Sequence, residues 1–218
     1  IRRVFNATKG FTGPWVMLPG NHDAALAESV WTRAQRLGAV PENVHLALQP
    51  GVIDLEDPGL SILCAPLTQR HTYGDLTEPF SGYETPEGFL RVGLAHGSVQ
   101  GLLPDEIDST NPIAPGRAEA SRLDYLALGD WHGTKQIDER TWYSGTPEPE
   151  RFRNNEAGNA LIVEVSEPGA TPTVTSLPTG RYQWHQWRET LAVNSDLEQL
   201  LERLNALPES AVVDLRLE

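Results

Sequence analysis

Apolar positions along this chain gather into short runs, and most runs end on a turn-forming or polar residue. "PWVMLPGNHD" reads as a strand that breaks at Pro19–Gly20 into a polar turn. Beyond it Val30, Trp31, Ala34 and Leu37 recur at helical spacing, which predicts a helix from about Ala24 that stops at Gly38. "VHLALQPGVIDLE" predicts a hairpin turning at Pro50–Gly51. "SILCAP", "RVGLAH" and "DYLALG" are continuous apolar runs that feed loops, the pattern of buried strands. A polar excursion over 101–124 separates the last two, with a short helix expected near Arg117–Arg122. "TWYSG", "ALIVEV" and "TPTVTSL" predict three further strands.

The pattern changes after about Pro178. "RYQWHQWRETLAV" reads as a strand, Ser195 and Glu198 have the spacing of a capping box, and Leu197, Leu200, Leu201 and Leu204 share one helical face. A strand over 211–218 completes a strand–helix–strand unit. The expected organisation is a large domain over 1–180 and the start of a smaller one over 181–218. "IRRVFNATKG" resembles the tail of a helix and "VVDLRLE" a strand stopped short, so both ends read as cut from a longer chain.

Composition narrows the function classes. The chain has 218 residues, 39% of them hydrophobic, and its 17 Lys and Arg against 30 Asp and Glu leave a formal charge of -13. Such a chain repels polyanions at long range, so a nucleic-acid partner requires a local basic patch or another subunit. Lys9 and Lys135 are the only lysines. The lone cysteine, Cys64, sits in an apolar run. It reads as a core residue, and it suits a reducing compartment, which makes the expected location cytoplasmic. No apolar run approaches the ~20 residues of a membrane span, so no membrane partner is expected.

The residues with metal-binding or acid–base chemistry stand at the carboxyl ends of apolar runs: Asn21, His22 and Asp23 after "VMLPG", His96 after "VGLA", and Asp130 and His132 after "LALG". Layered α/β folds collect ligands at the carboxyl ends of their strands. An amide, imidazoles and a carboxylate converging there suit a divalent ion such as Mn²⁺, Fe²⁺ or Zn²⁺.

"GNHD" at 20–23, "AHG" at 95–97 and "GDWHG" at 129–133, in this order, resemble the last three motifs of the calcineurin-like metallophosphoesterases. "YLALGDWH" and "WYSGTPEPERF" resemble the DNA-repair exonuclease branch of SbcD-type nuclease subunits. The resemblance spans about residues 15 to 180. It implies an α/β fold, a layered β-sheet sandwich flanked by helices, followed by part of a small α+β capping domain. It implies a phosphodiester hydrolase with two divalent ions, manganese first and iron or zinc as alternatives. Asn21 and His96 would bind the second metal and His132 the first, while His22 would face the scissile phosphate with Asp23 a candidate to orient it. The branch implies DNA as substrate and an SbcC-type coiled-coil ATPase as partner, and leaves a homodimer open.

Two departures qualify the resemblance. Asp130 stands where the family usually has a histidine ligand. In an extended segment, residues i and i+2 point the same way, so Asp130 and His132 would both reach the cluster while Trp131 packs. The competing reading has Asp130 bonding the turn amides after Gly129. Secondly, the family's first two motifs, Asp-x-His and Gly-Asp-x-x-Asp, should precede "GNHD", yet no Asp, Glu or His lies before Gly20. The resemblance therefore puts the remaining metal ligands upstream of residue 1.

Other residues carry weaker signals. Arg70 and His71 follow a strand end and are either phosphate contacts or a solvated loop. Arg151 and Arg153 form a basic spot suited to a nucleic-acid backbone, or they pair with Glu148 and Glu150. His45 and His185 receive no role, and the six tryptophans are too spread to read as a base-stacking platform. Two alternatives stay open: a phosphodiesterase acting on nucleotides or small phosphoesters, and a non-catalytic assembly or DNA-docking module.

Overall fold

The computed structural model describes residues 2–102, 110–152 and 155–218. In chain order the elements are α1 (Arg2–Thr8), β1 (Trp15–Met17), α2 (Val30–Arg36), β2 (Val44–Leu46), β3 (Gly51–Leu55), β4 (Leu60–Ala65), β5 (Leu90–His96), β6 (Ser98–Val99), β7 (Pro112–Ile113), α3 (Arg117–Ala120), β8 (Tyr125–Gly129), β9 (Lys135–Gln136), β10 (Thr141–Tyr143), β11 (Asn159–Glu164), β12 (Thr173–Pro178), β13 (Gln183–Glu189), α4 (Asn194–Asn205) and β14 (Ala211–Leu217). A 3₁₀ turn spans Glu78–Gly82. The chain is of mixed α/β class.

The three apolar runs "SILCAP", "RVGLAH" and "DYLALG" become neighbouring parallel strands, β4, β5 and β8, at the centre of a six-stranded sheet ordered β3-β4-β5-β8-β10-β9. β10 extends the parallel set, and β3 and β9 close the two edges antiparallel. Burial on both faces explains why the central runs lack polar alternation. On one face Leu63, Phe80, Ala95, Leu123, Leu126 and Tyr143 form the main core. On the other, Ile62, Cys64, Val92 and Leu94 pack against Val16, Leu18 and Ala47 of the β1/β2 layer. Beyond that layer, Phe5 of α1 and Ala34 of α2 pack with Met17 and Val44. Cys64 is buried as expected, and desolvation pushes its thiol up to about 12.

Three local expectations differ from the structure. "VHLALQPGVIDLE" is not a hairpin: β2 pairs parallel with β1, Val16 opposite His45, and β3 instead turns back on β4. The helix after "GNHD" starts only at Val30, where the Ser29 hydroxyl accepts from Thr32 N and caps it. In α4 the capping carboxylate is not Glu198 but Asp196, which accepts from Ala192 N and Val193 N. Leu200 of the predicted leucine face is buried, whereas Leu197 and Leu201 are about half exposed, at 47% and 50%. β13 and β14 pair parallel across α4, completing the strand–helix–strand unit.

The loop after β5 is held by one side chain. Tyr143, fully buried on β10, donates its hydroxyl to Gly97 O at 2.7 Å and accepts from Val99 N at 3.0 Å. Burial pushes this phenol above its ordinary range, so it stays protonated and able to donate. Tyr143→Phe keeps the ring but strands a buried carbonyl and a buried amide. It should cost about 1–3 kcal/mol of unfolding free energy, read from urea denaturation with an unchanged m-value.

Candidate functional site

Register builds the site. β5 and β8 run parallel with His96 opposite Gly129, so their carboxyl ends finish side by side. β1, in the layer against this sheet, leads through Pro19 into Gly20 and Asn21. The Gly20 backbone lies so close to the His96 ring that a Cβ there would stand 2.6 Å from the ring. A Cβ on Gly129 would stand 3.0 Å from His96 Nδ1. Gly20 of "GNHD" and Gly129, the first glycine of "GDWHG", are thus explained by the space the imidazole takes.

Around that ring the polar groups converge. His96 Nε2 is 3.2 Å from Asn21 Oδ1 and 3.4 Å from Asp130 Oδ1. The other carboxylate oxygen of Asp130 accepts from the Ser98 hydroxyl at 3.2 Å, and not from the turn amides after Gly129. Desolvation pulls the Asp130 carboxyl upward. The His96 hydrogen bond and charge, then Ser98 and the charge of His132, outweigh it and hold the group below its ordinary value. Asp130 takes a positive φ of 113°, uncommon for a residue with a Cβ. Backbone strain of this kind persists where surrounding contacts over-determine it.

That φ corrects the extended-segment reading, because the backbone at Asp130 is not extended. Trp131 does pack against the main core, but the His132 imidazole turns elsewhere, its Nδ1 lying 2.5 Å from Glu150 Oε1. His22 is exposed, and no hydrogen bond to its ring is found among the described residues. Asp23 does not orient it: its Oδ1 accepts from Gly20 N at 2.8 Å, closing the motif turn on itself, while its carbonyl accepts from Trp31 Nε1.

Of the residues singled out from the sequence, Asn21, His96 and Asp130 are therefore brought together, and His22, Asp23 and His132 stand around them without joining them. Two residues enter that the sequence left ambiguous. Arg70 donates from Nε to the Asn21 carbonyl at 3.3 Å, which puts an exposed guanidinium beside the cluster. Its neighbour His71 bonds Thr110 instead. Glu150, which the sequence offered only as a partner for arginine, holds His132 and lies 3.6 Å from Arg151 Nε. Glu148 accepts from Arg181 N and Tyr182 N. Arg153 lies outside the described residues. No sequence spacing signals Arg70–Asn21 or Glu150–His132, since both contacts join different loops.

An ion shared by ligands at about 2.0–2.2 Å sets its donors roughly 3–3.5 Å apart. The two separations from His96 Nε2, to Asn21 Oδ1 and to Asp130 Oδ1, fall in that range, and amide oxygen, imidazole and carboxylate are competent donors for a divalent ion. Among the described residues, no three His, Cys, Asp or Glu side chains are gathered to hold a metal ion. None of their helices is long and apolar enough to cross a membrane. In comparisons with known proteins, no family model matches the chain and no curated protein is significantly similar to it.

The Asp130 environment gives a pH prediction. The folded value lies below the unfolded one, so this group's stabilisation is full above about pH 4 and fades as pH falls through the folded value. His96→Gln removes the imidazole that acts on Asp130 and leaves the burial. The Asp130 carboxyl should then titrate at a higher pH than in the parent, read from side-chain carboxyl ¹³C shifts.

Proposed function

We propose that the chain is part of a metal-dependent phosphodiester hydrolase of the metallophosphoesterase kind, acting on DNA as a repair nuclease subunit. The observation that carries this reading is the convergence of Asn21 Oδ1 and Asp130 Oδ1 on His96 Nε2, at 3.2 and 3.4 Å, beside the carboxyl ends of parallel strands. The motif order "GNHD", "AHG", "GDWHG" supports it independently of geometry. In this reading Asn21, His96 and Asp130 hold one divalent ion. His132, kept in one orientation by Glu150, offers its other ring nitrogen to a second. Ions held there would supply Lewis-acid polarisation of a phosphoryl oxygen and a more acidic water.

The chain's own side chains do the rest. Asp130 brings a negative charge where the family usually carries a neutral imidazole, which favours harder ions such as Mn²⁺ and weakens the pull on an anionic substrate. Arg70 offsets this by presenting a fixed positive charge beside Asn21 for a phosphate oxygen. In this reading His22, which is exposed, would give a proton to the leaving oxygen. The partner ATPase, the 1–180 and 181–218 domain division and the cytoplasmic location belong to the same proposal.

The test uses the full-length protein with Mn²⁺ and compares duplex DNA with bis-p-nitrophenyl phosphate and cyclic nucleotides. His22→Ala should keep its metal stoichiometry and lose about 10²–10⁴-fold in kcat. His96→Ala should lose metal and activity together. If His22→Ala also loses metal, the assigned roles are wrong. Turnover of small diesters without DNA cleavage would move the substrate to nucleotides. No metal-dependent turnover of any arm would leave an assembly module.

A further inference from the structure

A cleft of about 310 Å³ lies where the strand–helix–strand unit meets the segment after β10, lined by Arg151, Phe152, Glu156, Trp184 and Gln186 among others. That is the lower end of the range for small-molecule sites. Trp184 and Gln186 lie two apart on β13, so they share one face of that strand. His185 and Trp187 share the opposite face, where the Arg203 guanidinium of α4 lies 4.4 Å from the Trp187 ring centre. The cleft face of β13 therefore remains for the main body. Phe152 reaches Trp184 edge-on, with ring centres 4.7 Å apart and planes at 69°. The two form the walls of an aromatic corner, although the chain's tryptophans are dispersed in sequence. Trp184 Nε1 is buried and has no acceptor among the described residues.

We propose that this cleft binds one nucleotide unit, with the base on Trp184 and Phe152 and the phosphate on Arg151. A base supplies a π-face for the aromatic corner. Gln186 offers a donor and an acceptor to a base edge, and Glu156 accepts from an exocyclic amine or a sugar hydroxyl. The Arg151 side chain is 61% exposed and able to meet a phosphate. Two consecutive residues join this cleft to the candidate centre: Glu150 holds the His132 imidazole and Arg151 lines the cleft. The nucleotide would thus be one flanking the scissile phosphodiester, and in this respect the proposal rests on the hydrolase reading above.

The experiment measures binding of AMP, ribose 5-phosphate and inorganic phosphate to the full chain in EDTA, by calorimetry or ligand-observed NMR. AMP should bind without metal, and ribose 5-phosphate, which lacks the base, should bind at least about fivefold more weakly. Arg151→Gln, at an exposed position, should weaken AMP several-fold and leave adenosine unchanged. Trp184→Leu, which removes the aromatic face, should weaken AMP and adenosine alike. Equal binding of AMP and ribose 5-phosphate, or AMP binding indifferent to both substitutions, would overturn the proposal. AMP binding without any Mn²⁺-dependent diester hydrolysis would retain the cleft and reject the hydrolase reading. Hydrolysis without AMP binding would do the reverse.

Discussion

The parallel register between β5 and β8 is the constraint on which the site depends. It sets His96 against Gly129 at the ends of two buried strands, and the imidazole can lie there only because Gly20 and Gly129 carry no side chain. With the ring fixed, Asn21 and Asp130 approach from opposite sequence neighbours, and Ser98 holds the far oxygen of the carboxylate. Tyr143, two strands along the sheet, pins the loop that carries Ser98. A shift of this register by one residue would turn His96 to the other face of the sheet and dissolve the cluster.

The elements were legible where hydrophobicity decides them. Three apolar runs became three adjacent central strands, and the polar residues at their ends fell on one edge, because a buried parallel sheet leaves chemistry nowhere else to go. Pairing was less legible. "VHLALQPGVIDLE" has the turn signal of a hairpin, yet β2 joins β1 across a helix because burying Val44 and Leu46 under α1 and α2 outweighs the local turn. Nor does α4 use the Ser195–Glu198 spacing, since the helix begins two positions earlier and Asp196 is the carboxylate that reaches the two amides before it.

The site divides in the same way. Asn21, His96 and Asp130 were readable as strand-end residues, and their contacts follow from topology. That Asp130 meets His96 while His132 meets Glu150 was not readable, because neither the positive φ at Asp130 nor the Glu150 contact is recorded in any spacing. Arg70, Glu150 and the Phe152–Trp184 corner were not readable as partners either. Each contact joins segments whose proximity is fixed only after the sheets have packed.

The central claim is that Asn21, His96 and Asp130 form a divalent-ion site. Among the six histidines, His96 is inside that cluster, while His45 and His185 are remote strand residues. Mn²⁺ added in small increments to this chain, with imidazole signals followed by long-range ¹H–¹⁵N correlation, reads the claim directly through paramagnetic broadening. The account predicts that the His96 signals broaden first, well before those of His45 and His185, and that Asp130→Ala abolishes the difference. Equal broadening of all the imidazoles in the parent chain, or a preference that survives Asp130→Ala, would contradict it.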